Sequence, residues 1–222
     1  MRNKLILTGM VFCLSFGALT GCGKMSYVIK NAAMSQEETE KEEQELDAFE
    51  DVTVELECAD VTIKRGDAYH LSISRTDNYE LSAKVTDKKL AIHSKGEVPE
   101  KGRYSATVTI TVPKDAAMNK VNINLAVGDF LAKKIAASKL DATLATGDFR
   151  VNGCDFSDAT VEVSVGDVRF EDSGSLDDTT YDLSADVGDI VVDGKEKDSP
   201  FKKGKGAKTV KVETSVGDIR IE

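Results

Sequence analysis

The chain has no tryptophan, three prolines and two histidines, and only 6% of its 222 residues are aromatic. Each shortage excludes a class of function. Parallel β-helices that cleave polysaccharides need paired carboxylates beside a sugar-stacking surface, and this chain has few aromatics to build one. His70 and His93 stand apart from any cysteine or histidine at ligand spacing, so a zinc site is unsupported. No histidine lies near a cysteine to act as the base for a thiol nucleophile. Positive charge is also short, with 29 Lys plus Arg against 39 Asp plus Glu and a net charge of −10. Such a surface has no excess of cations to neutralise phosphates, which argues against nucleic acid. The expectation is a protein that is not an enzyme and carries no cofactor and no metal.

Long apolar runs are missing as well, except at the start. Arg2 and Lys4 precede an uncharged, mostly apolar stretch from Leu5 to Leu19, which then meets Leu19-Thr20-Gly21-Cys22. That ending resembles the lipobox of bacterial lipoproteins, in which signal peptidase cuts before the cysteine and its thiol takes a diacylglycerol. An ordinary secretory signal with an accidental cysteine is the competing reading. The run is too short for a spanning helix. Residues 1–21 are thus expected to be a lipoprotein signal peptide and Cys22 the lipidation site. Two acyl chains, at about 0.8 kcal/mol per buried CH₂, would hold the protein on the membrane. The expected location is the extracytoplasmic face of the cell membrane, anchored by the N-terminal lipid. Residues 22–47 are dense in glutamate and read as an acidic spacer. Ser35-Gln36-Glu37-Glu38 fits a capping box, so a short exposed helix and plain disorder both stand as readings.

Beyond the spacer the chain repeats itself. Gly-Asp recurs at Gly128-Asp129, Gly147-Asp148, Gly166-Asp167, Gly188-Asp189 and Gly217-Asp218, at spacings of 19, 19, 22 and 29 residues. Apolar residues occupy positions −7, −5, −3 and −1 before each glycine and +2 and +4 after it; only Thr146 and Thr214 break this pattern. Alternation at period two means strands with one buried face. The parity flips across Gly-Asp, which a straight strand cannot do while keeping one face inside. A corner can, with Gly supplying backbone freedom and Asp bonding its own backbone two residues on. A sixth copy runs from Val52 through Ala59-Asp60 to Ile63, with Ala in the glycine's place.

Units of this length cannot bury an apolar face alone, so copies must stack. The expected fold is all-β: a β-solenoid, or β-helix-like stack, of Gly-Asp-cornered coils over 120–222. Residues 48–119 contribute hairpin or meander strands that cover one end, and the chain stops when the last coil is laid down. An antiparallel sandwich of β-arches shares the alternation and is the alternative.

The VGDIRI-type corners, the opening VTVELECADVTI and the TVTITVP strand resemble the bacterial "putative adhesin" domain family over residues 48–222. The resemblance implies an extracytoplasmic, solenoid-like domain, often on lipoproteins, with links in some members to envelope stress. It brings no catalytic residues.

Remaining constellations have two readings each. The aligned Asp129, Asp148, Asp167, Asp189 and Asp218 form a ladder of like charges, held by a cation such as Ca²⁺ or by local backbone N–H groups and the nearby Arg150, Arg169 and Arg220. The local reading is preferred. Arg65-Gly66-Asp67 matches the integrin-binding tripeptide but falls where a turn is wanted. Cys58 occupies a core slot and Cys154 an inward position; a disulfide between them would have to link distant coils. Taken together, the sequence reads as a lipid-anchored cell-surface structural or interaction protein with an unidentified envelope or surface partner. The alternative is an envelope-stress sensor or decoy that binds cationic antimicrobial peptides.

Overall fold

Alternating burial shapes nearly every element of the computed structural model, which describes residues 39–76, 78–95, 105–172 and 178–222. All of these lie in one compact unit, residues 37–222. The signal segment, Cys22 and Ser35-Gln36-Glu37-Glu38 lie outside the described residues.

Two strands open the unit: β1 (Thr39–Glu45) and the long β2 (Asp51–Gly66). Four more follow: β3 (His70–Thr76), β4 (Leu81–Thr86), β5 (Lys89–Ser94) and β6 (Ala106–Pro113). Three bent units come next, each a long strand, a Gly-Asp corner and a short strand. They are β7–β8 (Met118–Val127, Phe130–Lys133), β9–β10 (Ala136–Thr146, Phe149–Asn152) and β11–β12 (Asp155–Val165, Val168–Glu171). A fourth, β13–β14 (Thr179–Val187, Ile190–Val192), leads into the short β15 (Lys195–Lys197) and β16 (Phe201–Lys203). The chain closes with the unit β17–β18 (Lys208–Val216, Ile219–Ile221). Among the described residues there is no α-helix.

The strands form two walls. The long-strand wall runs β4–β5–β2–β7–β9–β11–β17–β13–β16, and β5 through β13 are all parallel. The short-strand wall runs β1–β3–β6–β2–β8–β10–β12–β18–β14–β15, parallel from β6 to β14. β2 is itself a bent unit: Asp51–Cys58 pairs in the first wall and Ala59–Gly66 in the second.

One sequence expectation is corrected here. The units do not stack in chain order. β17–β18 lies between β11–β12 and β13–β14, with Val165 beside Val216 and Val168 beside Ile219. The near-identical octets Ser164–Glu171 and Ser215–Glu222 are therefore immediate neighbours, and the last unit closes a gap rather than extending an end. The opposite end is threaded likewise: β2 sits between β7–β8 and the later β5 and β6. The unequal spacings of 22 and 29 residues now have a cause. The first connection must skip one strand position, about 4.8 Å, and the second must cap the outer unit with β15 and β16 before returning.

The acidic spacer is corrected too. Thr39–Glu45 is no helix or loose linker; it pairs antiparallel with β3, from Thr39 opposite Thr76 to Glu45 opposite His70. Its charged side chains are tolerated because every residue of this edge strand is exposed.

Between the walls lies one aliphatic core with an aromatic run. Phe130, Phe149 and Phe170 are buried, with ring centroids 5.3 and 5.6 Å apart in succession. Such side chains each contribute about 1.5–3 kcal/mol on full burial, and register stacking repeats the contribution at every unit. Thr214, which breaks the apolar pattern, is buried and its hydroxyl donates to the Gly166 carbonyl at 3.4 Å.

Candidate interaction surface at the corner

The corner is the most regular feature of the fold. Gly166 has φ +145° and Gly217 φ +148°, a region that side chains rarely adopt. A Cβ at Gly166 would lie 2.0 Å from the Gly147 carbonyl oxygen, and one at Gly217 would lie 2.0 Å from that of Gly166. Glycine is needed twice over, for the bend and for the close approach of the neighbouring unit. The contrast is β2, whose corner carries Ala59. On its other side β2 pairs with β5 and β6, and Ala59 has no positive φ. The N–H groups of Glu57 and Cys58 there donate to the Tyr79 hydroxyl at 3.1 and 3.3 Å. A buried tyrosine thus accepts from the backbone just before this corner.

The aspartates also act between units. Each accepts a hydrogen bond from the backbone N–H of the aspartate on the next unit: Asp129 to Asp60 (3.0 Å), Asp148 to Asp129 (2.8 Å), Asp167 to Asp148 (3.0 Å), Asp218 to Asp167 (3.0 Å) and Asp189 to Asp218 (3.0 Å), donor first. This replaces the expected bond to each aspartate's own backbone, because the neighbouring N–H points along the stack at a bare carboxylate. Arg169 and Arg220 each donate to the aspartate two residues before them at 3.0 Å. The N–H of Asp189 and the guanidinium of Arg220 hold the Asp218 carboxyl below its usual value. Arg150 aligns with Arg169 across the strands, and its Nε is buried without a partner among the described residues. No group of three or more metal-ligating side chains occurs among the described residues. The ladder is compensated by N–H groups and arginines.

Beside the ladder runs a feature that reading the sequence assigned to the core. Position −1 of each corner faces outward. Val127, Val165, Val216 and Val187 are 50%, 49%, 47% and 63% exposed. Strand register places them in one row, in the order Cys58, Val127, Thr146, Val165, Val216, Val187. The residues at −2 are exposed or half-buried as well, so two successive positions turn outward just before the glycine. The parity change begins one residue earlier than the apolar pattern suggests. Thr146 is therefore no exception, since its slot faces water. Cys58 is half-buried on this row rather than in the core, and burial with the nearby Asp60 charge pushes its thiol up. A valine ladder looks the same in sequence whether it faces in or out, and only the hydroxyl at Thr146 hinted at the answer.

The other singled-out residues are structural. Arg65 donates to the carbonyls of Lys134, Pro113 and Ala116 at 2.7, 2.6 and 2.5 Å, tying three segments together, so the Arg-Gly-Asp tripeptide offers no free arginine. Asp67 meets Lys114 at 3.4 Å. Cys154 is buried, its Sγ 3.4 Å from the Asn152 carbonyl, and it and Cys58 are free thiols. His70 lies 3.3 Å from Glu43 and His93 is exposed.

A family model described as Toastrack DUF4097 matches residues 49–222. Among solved structures, a "putative cell adhesion protein" from Clostridium sporogenes ATCC 15579 is 16% identical with a TM-score of 0.55, over 83% of this chain and 99% of the other. A "putative adhesin" from Bacteroides fragilis NCTC 9343 is 11% identical with a TM-score of 0.40, over 83% and 97%. The first of these shows a shared fold. No curated protein matches the chain.

Proposed function

The chain belongs to the Toastrack DUF4097 family, and on that premise we propose that it is a lipid-anchored, non-catalytic interaction protein of the cell surface. Its stacked units form a β-solenoid-like body that presents the corner edge to an envelope component or another surface. The run of three adjacent exposed valines, Val165, Val216 and Val187, carries this reading, with Val127 beyond Thr146 in the same row. Isolated surface valines are ordinary, but a contiguous exposed apolar strip rimmed by charge is the usual mark of a contact site. Here the rim is the aspartate ladder on one side. The printed name of the Clostridium sporogenes neighbour, a "putative cell adhesion protein", agrees with a contact role.

The test uses the full chain on cells or in vesicles. Replacing Val165, Val216 and Val187 together by Ser should lower retention of cell-wall or matrix fractions by tenfold or more, with the melting temperature nearly unchanged. Undiminished retention by that variant, or none by the wild type, contradicts the proposal. Cys22→Ala should release the protein from membranes; membrane retention after an alkaline wash would remove the anchor.

A further inference from the structure

The outermost strands at the two ends of the stack differ in net charge: β1 and β4 together hold four acids and two lysines, β15 and β16 four lysines and one acid. At the end that starts the described chain, residues 39–50 hold six acidic side chains and one lysine. Glu40, Glu42, Glu43 and Glu45 all sit on β1, the outermost strand of its wall. At the other end, residues 193–208 hold six lysines against three acids in a protein whose net charge is −10. Lys195 and Lys197 lie on β15 and Lys202 and Lys203 on β16, the outermost strands of the two walls there. Lys195, Lys203 and Lys205 are exposed, with no ion pair among the described residues.

Both ends are also open edges. Among the described residues β1 and β15 each pair on one side only, as do β4 and β16, and such edges are templates for another strand. Proteins blunt edges with charge, yet charge that only repels would have the same sign at both ends. Opposite signs disfavour like ends meeting and favour unlike ends. A cleft of about 580 Å³ opens between β1 and β4, lined by Glu42, Glu43, Gln44, Ser82 and Lys95 over Leu71, Ile73, Leu81 and Ala83. The basic end offers Phe201, half-buried, with Lys197 over its ring at 5.9 Å. Strand direction agrees too. β15 runs antiparallel to β14, and β1 runs the same way as β14 through the intervening pairings. A second copy added in the same orientation therefore sets β15 antiparallel to β1.

We propose that this protein associates head to tail with further copies of itself, the lysine-rich cap of one chain docking on the glutamate-rich edge strand of the next and the cleft beside it. The contact is heterologous, so it propagates in a line instead of closing a dimer. It uses the ends of the stack and leaves the valine row free, so it stands independently of the envelope contact.

Sedimentation velocity of the full chain in non-ionic detergent tests it. In 20 mM salt the wild type should form a concentration-dependent series of dimers and larger species, weakened at least tenfold in 500 mM salt, where screening shortens to a few ångströms. Glu43→Lys with Glu45→Lys turns β1 net basic, with three lysines against two acids, and Lys195→Glu with Lys203→Glu turns residues 193–208 net acidic, with five acids against four lysines. Each variant alone should stay monomeric, and an equal mixture should form mixed dimers. The neutral pairs Glu43→Gln with Glu45→Gln and Lys195→Ser with Lys203→Ser should each weaken association severalfold, which covers a reversal variant that melts early. A monomeric wild type in low salt, association indifferent to salt, or self-association by either reversal variant overturns the proposal.

Discussion

Residues 118–171 and residues 179–222 carry the same repeat but assemble differently. The first region lays β7–β8, β9–β10 and β11–β12 side by side in the order the chain makes them. The second lays its outer unit first and then inserts β17–β18 into the space left behind. The local chemistry is the same in both, with glycine against a neighbouring carbonyl and aspartate under a neighbouring N–H. What differs is which neighbour supplies each contact. Repeats that present identical faces do not prescribe their own order; the lengths of the connections do. One consequence is that Ile219–Ile221 is held between two strands, β12 and β14.

The largest expected effect follows from that enclosure. Gly217→Val places a branched side chain at φ +148° with its Cβ 2.0 Å from a backbone carbonyl. It should destabilise by on the order of 3–4 kcal/mol, about as much as Gly166→Val in the ordered region. Denaturant unfolding of both variants makes the check. A near-neutral Gly217→Val would mean that the C-terminal unit is loosely attached.

The aspartates separate interior from end positions. Asp167→Ala removes the acceptor for the Asp218 N–H and the partner of Arg169, and should cost about 1–2 kcal/mol. Asp189 belongs to the outermost corner, where its carboxylate accepts no further N–H from the stack among the described residues. Asp189→Ala should therefore change stability by under about 0.5 kcal/mol. Thermal melts of the two variants, with and without Ca²⁺, distinguish this from a metal ladder. Equal losses from both, or a wild-type gain of many degrees with Ca²⁺ that Asp167→Ala abolishes, would contradict the hydrogen-bond account.

The smallest effect is on pH dependence. The Asp218 carboxyl titrates below its usual value in the folded protein, so its contribution is fully present above the unfolded value. That contribution is lost as the pH falls through the folded value, in the acid range below about pH 4. Asp218→Asn should flatten the acid limb of a stability profile measured between pH 6 and pH 2. An unaltered limb would show that Asp218 gains nothing from its N–H and arginine partners.

The corners were legible in the sequence because parity inverts at each Gly-Asp pair, and no single strand accommodates that inversion. The stacking order was not, although the spacings of 22 and 29 residues marked where it departs from chain order. The valine row escaped notice because the apolar pattern runs one residue past the point where burial stops. β1 escaped because an edge strand needs no apolar face, and TEKEEQE reads as a linker or a helix by composition alone. Ala59 was legible as a sixth corner, but the hydrogen bonds that the backbone beside it makes to Tyr79, 20 residues away and in no recognisable motif, were not.

Disulfide trapping tests the inserted C-terminal unit most directly. Glu162 and Glu213 are exposed on the long-strand wall and directly paired, whereas Ser184, the equivalent residue of the next repeat in sequence, is one strand further out. Neighbouring strands bring Cα atoms within the roughly 4.4–6.8 Å that a disulfide spans. Under mild oxidation Glu162→Cys with Glu213→Cys should form an intramolecular disulfide, mapped by peptide mass spectrometry, and Glu162→Cys with Ser184→Cys should not. Cross-linking of the second pair and not the first would mean that the units stack in chain order, contradicting the arrangement described above.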